Sequence, residues 1–203
     1  MKEIIPSLIA SNQKELDKVF SRVKYANKFQ VDIMDGKFVK NKSFDFDFIL
    51  PKGKKYEAHL MVKNPELWIT YCGKKFQTIY FHVESTKQPT KIIKQIRDIK
   101  KKVGLAISPR TPVAKIKRYL KDIDNILIMT VYPGKYGAEF LPGMTKKIQE
   151  IRNINPKIKI EIDGGINDKT IQKVKDADLF ISGSYLQKPF SKLKYNKLTR
   201  LIK

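Results

Sequence analysis

Only two histidines occur in the 203 residues of this chain, His59 and His82, and each falls near the end of a short apolar run. Asp32 and Asp35 end another such run, Glu84 follows His82 by two positions, and Asp163 closes Glu161-Ile162-Asp163. Ser7 ends the first run and Gly183-Ser184 follows the last. Carboxyl and imidazole groups are the side chains most often used for acid/base work near neutral pH. Paired carboxyls suit proton transfer, because different surroundings let one start ionised and the other protonated. A histidine taken alone is more often structural; here two share their placement with two aspartates. Met34, Met61 and Met129 follow similar runs, leaving only Met1 and Met144 elsewhere. Thioethers are apolar and polarizable, so a ring of them dries a cavity where charge develops; ordinary core filling is the plainer alternative.

The elements that must hold these residues alternate between strand-like and helix-like patterns, which implies β/α units rather than segregated sheets and helices. A strand over 4–8 precedes an amphipathic helix over 13–25, opened by a Ser-Asn capping segment. Residues 29–33 form the second strand, followed by a loop over 35–44 and a short helical stretch over 46–50. The third strand, 56–61, leads to a helix opening at Asn64-Pro65, and the fourth, 78–83, to a helix over 89–101. The second half repeats the scheme. Strands over 103–107 and 125–129 each precede a helix, at 112–120 and 142–153, and strands over 159–162 and 179–182 flank a helical segment at 168–175 before a terminal helix. Eight units make closure into a single (β/α)8 TIM barrel the economical architecture, one domain spanning 1–203. In such barrels working residues sit at the carboxyl ends of strands. That is where the acids, histidines and methionines fall.

Composition narrows the partners. The net charge of +22 invites a polyanion reading. Yet the 42 basic residues include only six arginines, Arg22, Arg97, Arg110, Arg118, Arg152 and Arg200, and the lysines are spread from end to end. Phosphate and base readers lean on arginine and form patches. A solvated lysine-rich surface with no specific nucleic-acid partner is therefore expected, leaving weak non-specific RNA binding at low salt. No apolar run approaches membrane-spanning length, the first residues read as a strand rather than a signal peptide, and Cys72 is the single cysteine. A cytoplasmic globular protein without a membrane partner is the expectation.

Six motifs then stand in order: Ile5-Pro6-Ser7, Val31-Asp32-Ile33-Met34-Asp35-Gly36, Ala58-His59-Leu60-Met61-Val62, Met129-Thr130-Val131-Tyr132-Pro133-Gly134, Glu161-Ile162-Asp163-Gly164-Gly165-Ile166-Asn167 and Ser182-Gly183-Ser184. Together they resemble the ribulose-phosphate 3-epimerase family over essentially the whole chain. The resemblance implies interconversion of ribulose 5-phosphate and xylulose 5-phosphate by proton transfer beside a ketone, with Asp32 and Asp163 as acid and base on opposite faces of the substrate. It also implies a divalent metal (zinc, iron or manganese) on Asp32, His59 and Asp163, with Gln30 at the position of a family histidine. Glutamine offers only a neutral amide oxygen, so the site binds metal more weakly, prefers a harder ion, or has lost it. The substrate residues implied are Ser7, Met34, Met61, Met129, Gly134, Gly137, Gly164, Gly165, Gly183 and Ser184, and a homo-oligomer is expected.

Several positions depart from the family pattern. Tyr136 stands where the family has glycine, with Lys135 either compensating in charge or facing water. Ser108-Pro109-Arg110-Thr111-Pro112 replaces an Asn and a Gly, with Arg110 either touching phosphate or facing water, and Ala10 replaces a serine. The alternatives are epimerisation of a related hexulose 6-phosphate, and a barrel that binds sugar phosphate or RNA without turnover. Decarboxylases and aldol-type enzymes that use Asp-x-Lys-x-x-Asp are set aside, because strand two carries Val31-Asp32-Ile33-Met34-Asp35.

Overall fold

A computed structural model describes residues 2–203; Met1, counted in the expected 1–203 domain, lies outside them. Among the described residues nine strands form: β1 (Glu3–Leu8), β2 (Lys28–Asp35), β3 (Lys42–Ser43), β4 (Lys55–Met61), β5 (Thr78–His82), β6 (Lys102–Ile107), β7 (Asn125–Met129), β8 (Lys159–Asp163) and β9 (Leu179–Ser182). Eight are parallel neighbours in the order β1-β9-β8-β7-β6-β5-β4-β2, and pairing of β1 with β2 closes the ring. The chain is thus a single (β/α)8 TIM barrel. The short β3 pairs antiparallel with the end of β2, Met34 with Ser43 and Asp35 with Lys42, and folds the 35–44 loop back on the barrel mouth.

Side chains alternate across each strand, so residues two apart share a face. On β2, Phe29, Val31 and Ile33 point outward and are fully buried under the outer layer, while Gln30, Asp32 and Met34 point inward. Inside, Ile5, Leu179 and Ile181 pack on one side and Tyr80, Ala106, Leu127 and Met129 on the other. Gly104 makes room for the Tyr80 ring: a Cβ there would lie 2.1 Å from it.

Five α-helices lie outside the ring: α1 (Gln13–Val23), α2 (Pro65–Cys72), α3 (Pro89–Asp98), α4 (Lys146–Ile154) and α5 (Ser191–Leu201). Asn12 caps α1 by accepting from the Glu15 backbone N–H at 2.9 Å, while Glu15 reaches back to the Ser11 N–H at 2.8 Å, satisfying donors a helix start leaves free. The helix over 13–25 ends early, at Val23. The one over 89–101 stops at Asp98, just before Lys100 turns left-handed at φ +58°.

Three helical expectations fail, each for a legible reason. Residues 46–50 hold no helix. Phe44, Phe46 and Phe48 recur every second position between aspartates, and their rings cluster with centroids 5.0 to 6.0 Å apart, Phe44 adopting φ +55°. The 112–120 segment becomes two 3-10 turns, Val113–Lys115 and Lys117–Tyr119. Val113, Ile116 and Tyr119, three of its buried residues, repeat every third position, the period of a 3-10 helix, with Leu120 buried beside them. The 168–175 segment likewise shortens to Ile171–Val174, with Ile171, Val174 and Ala177 buried at the same spacing. The expected 142–153 helix opens as a 3-10 turn, Pro142–Thr145, before α4. Among the described residues no helix is long and apolar enough to cross a membrane.

Candidate active site

Register brings the acids and the imidazole together. Asp32 on β2 pairs with His59 on β4, both facing inward, and Asp163 ends β8 opposite Met129. His59 Nδ1 lies 3.1 Å from Asp32 Oδ1 and 3.2 Å from Asp163 Oδ2. Gln30, two residues before Asp32 on the same face, donates from Nε2 to the same two oxygens, at 2.8 and 3.0 Å. Both carboxyls therefore share both N–H donors. Burial pushes the Asp32 carboxyl up, against the pull of its bond to His59, and the neighbouring Asp163 charge adds to the rise. Burial alone would lower the His59 imidazole, but its bonds to Asp163 and Asp32 and their charges outweigh that and raise it to about 9.

His59 is held from behind. Its Nε2 lies 3.0 Å from His82 Nε2, and His82 Nδ1 lies 3.1 Å from Glu84 Oε2. Glu84 accepts from the Ser108 backbone N–H at 2.8 Å and from the Thr111 hydroxyl. Burial opposes its charge, yet His82 and these donors hold the Glu84 carboxyl down at about 2. Lys147 Nζ in turn donates to the carbonyls of Ser108, Pro109 and Thr111 at 2.7 to 3.1 Å. The Ser108–Pro112 loop thus supports the histidine pair. Arg110 stacks over the Tyr132 ring, 5.5 Å from its centroid, and is not among the cleft residues.

Above this floor lies a cleft of about 560 Å³, its open mouth included. Its walls contain Ser7, Asp32, Met34, Met61, Met129, Gly134, Gly137, Asp163, Gly164, Gly165, Gly183 and Ser184. His59 and Gln30, both fully buried, lie beneath. Gly183 keeps a wall open: a Cβ there would come within 2.5 Å of Ser7 Oγ. Lys135 and Tyr136 also line the cleft, the tyrosine hydroxyl pushed up to about 12 by burial and by the Asp32 charge. Asn41 Nδ2 donates to the Gly134 carbonyl at 2.7 Å, tying the 35–44 loop to the 130–140 loop across the mouth. Asp35 has a structural task, accepting from the backbone N–H groups of Lys37, Phe38 and Lys63 at 2.8 to 2.9 Å.

Sequence reasoning missed a second polar layer beneath the first. Glu57, two residues before His59, and Glu161, two before Asp163, are inward-facing and fully buried. Lys28 pairs with Glu57; Tyr80 Oη donates to Glu161 Oε2 at 2.7 Å, and Asn125 Nδ2 to Tyr80 Oη at 2.7 Å. Their signal was present as acids in the same phase as the recognised site residues.

The donor set fits a divalent ion. Ligand atoms of Asp32, His59 and Asp163 lie within 4.8 Å of one another, and mixed carboxylate and imidazole donors suit zinc, iron or manganese. Gln30 presents its Nε2 to this trio, and its fully buried Oε1 has no hydrogen-bond partner.

Comparison with known proteins gives a consistent result. The family model "Ribulose-phosphate 3 epimerase family" matches residues 3–187. Ribulose-phosphate 3-epimerase of Schizosaccharomyces pombe is 33% identical over 185 residues, covering 86% of this chain and 81% of the relative. The protein of that name from Mycobacterium bovis is 32% identical over 192 residues, covering 89% and 84%. Among solved structures, 3-keto-L-gulonate-6-phosphate decarboxylase of Vibrio cholerae superposes with a TM-score of 0.73 at 13% identity, covering 99% of this chain and 97% of that one, a likeness of fold alone.

Proposed function

The chain belongs to the ribulose-phosphate 3-epimerase family, isomerases acting on carbohydrate phosphates, and from that premise we propose how this cleft interconverts ribulose 5-phosphate and xylulose 5-phosphate. The substrate lies on the floor between Asp32 and Asp163. One carboxylate removes the proton at C3 while the other, as the acid, returns a proton to the opposite face; the roles exchange with the direction of reaction. Gln30 and His59 hold both carboxyls in place through their shared N–H bonds. In place of these bonds, Asp32, His59 and Asp163 would hold a divalent ion, which would supply Lewis-acid stabilisation of charge on the substrate oxygens. Met34, Met61 and Met129 keep water from the reacting carbon.

The phosphate end lies against Gly134, Gly137, Gly164, Gly165, Gly183 and Ser184, where glycines let the backbone approach an anion closely, with Lys135 beside them and Ser7 on the facing wall. One domain over 1–203, a cytoplasmic location and a homo-oligomeric state complete the reading; the family match disfavours both the hexulose phosphate and the non-turnover alternatives. The observation that carries the roles is the shared pair of donors, which places two carboxyls of one site at the floor of one cleft. Exchange of the C3 proton with deuterated solvent tests them. The parent exchanges and Asp32→Asn and Asp163→Asn do not; full activity in either variant overturns the two-base assignment.

A further inference from the structure

Buried polar atoms in folded proteins almost always find partners, and a buried acceptor left without a donor is destabilising. Gln30 violates this on one side only. Its Nε2 serves both aspartates, while its Oε1 has no donor. The neighbouring inward residue in the parallel register is Glu57, and Glu57 Oε1 also has no donor. With Glu57 ionised beside Lys28, two acceptors at neighbouring positions cannot satisfy one another.

A carboxamide is nearly symmetric in shape, and its last torsion has two broad, roughly equivalent settings, so a half-turn exchanges nitrogen and oxygen without repacking. The turned amide offers its N–H to Glu57 and clears both defects. It also sets Oε1 beside Asp32 Oδ1 and Asp163 Oδ2, acceptors that a cation would hold together. Without the cation, the turn forfeits two hydrogen bonds. Each state is closed to the other's chemistry.

We propose that the Gln30 carboxamide is a two-position element: N–H toward the aspartates when no ion is held, Oε1 as a fourth ligand when one is, with Glu57 as the positioning residue that receives the turned N–H. The proposal rests on the reading that Asp32, His59 and Asp163 hold a divalent ion. Glu57 is anchored for the task by Lys28, and its neighbour Glu161 by Tyr80 and Asn125. An amide oxygen is a harder donor than imidazole, so the set leans toward manganese more than a histidine at position 30 would.

The test is calorimetric titration of the chain, stripped with a chelator, with Mn²⁺ and with Zn²⁺, alongside thermal unfolding of each stripped protein. The parent takes one Mn²⁺ per chain. Gln30→Leu weakens Mn²⁺ by about 10- to 100-fold, and Glu57→Gln by about tenfold although residue 57 never touches the ion, because its new amide gives Gln30 Oε1 a donor. Gln30→His moves the Mn²⁺/Zn²⁺ affinity ratio toward zinc; a loss of folding would instead lower both ions alike and show in the unfolding curve. Equal Mn²⁺ affinity in the parent and Gln30→Leu overturns the amide as a ligand, and an unchanged Glu57→Gln overturns its coupling to Glu57. A parent that binds neither ion overturns the metal site itself, a result distinct from both.

Discussion

Two pairs of buried carboxyls stand one above the other inside the same barrel, and they differ in almost everything except residue type. Asp163 sits two residues beyond Glu161 on β8, and Asp32 faces His59, two residues beyond Glu57 on β4. The upper pair borders the cleft and is held by N–H donors that leave lone pairs free. The lower pair is sealed, with both carboxyls pushed up by burial, Glu57 against the pull of Lys28 and Glu161 further by the Glu57 charge. One pair can exchange protons with a substrate; the other has no substrate within reach. Access and partners, more than the carboxyl group itself, separate chemistry from structure.

Substitutions can break this contrast from either side. The largest effect is expected above: Asp32→Asn or Asp163→Asn should lower kcat by about 10²–10⁴-fold, read by a coupled assay for xylulose 5-phosphate, while the melting temperature holds. Below, the order reverses. Lys28→Met leaves the Glu57 carboxyl buried without its cation and should lower unfolding free energy by about 3–5 kcal/mol in urea titrations, with kcat of the folded fraction falling far less than in either aspartate variant. If Lys28→Met abolished turnover without loss of stability, the division between layers would fail.

A smaller effect is expected behind His59, at the outer support. The Glu84 carboxyl lies at about 2 in the folded chain against 4.5 for the ordinary group. Its stabilising contribution is therefore fully present above about pH 4.5 and is lost as pH falls toward 2. Parent and Glu84→Gln should differ by at most about 3 kcal/mol near neutrality and converge on acidification. A gap that stayed constant from pH 7 to 3 would rule out the charge as its source.

The sequence carried the barrel and its upper layer because both speak in strong periods. Lys28-Phe29-Gln30-Val31-Asp32-Ile33-Met34 alternates at period two, and that phase puts Gln30, Asp32 and Met34 on one face. The same phase held Glu57 under His59 and Glu161 under Asp163, but a single acid in an apolar strand reads equally well as an exposed edge until the ring closes. His82 and Glu84 were visible as strand-end residues, while their link to His59 and to Thr111 depends on contacts across strands. The 112–120 crossover reads as an α-helix because Val113, Ile116 and Leu120 fit a helical template, although Val113, Ile116 and Tyr119 also keep the spacing of three that the tighter coil uses.

The two-residue phase of β8 also sets how the gene can tolerate change in length. Removing Lys159 at the start of that strand would hand the inward positions to Ile160 and Ile162 and turn Glu161 and Asp163 toward the helices, erasing both layers at once. In a library of single-codon deletions, survivors should thin out over β2, β4 and β8 and gather in the outer crossovers, so that the pattern of viable lengths traces the carboxyl ladder.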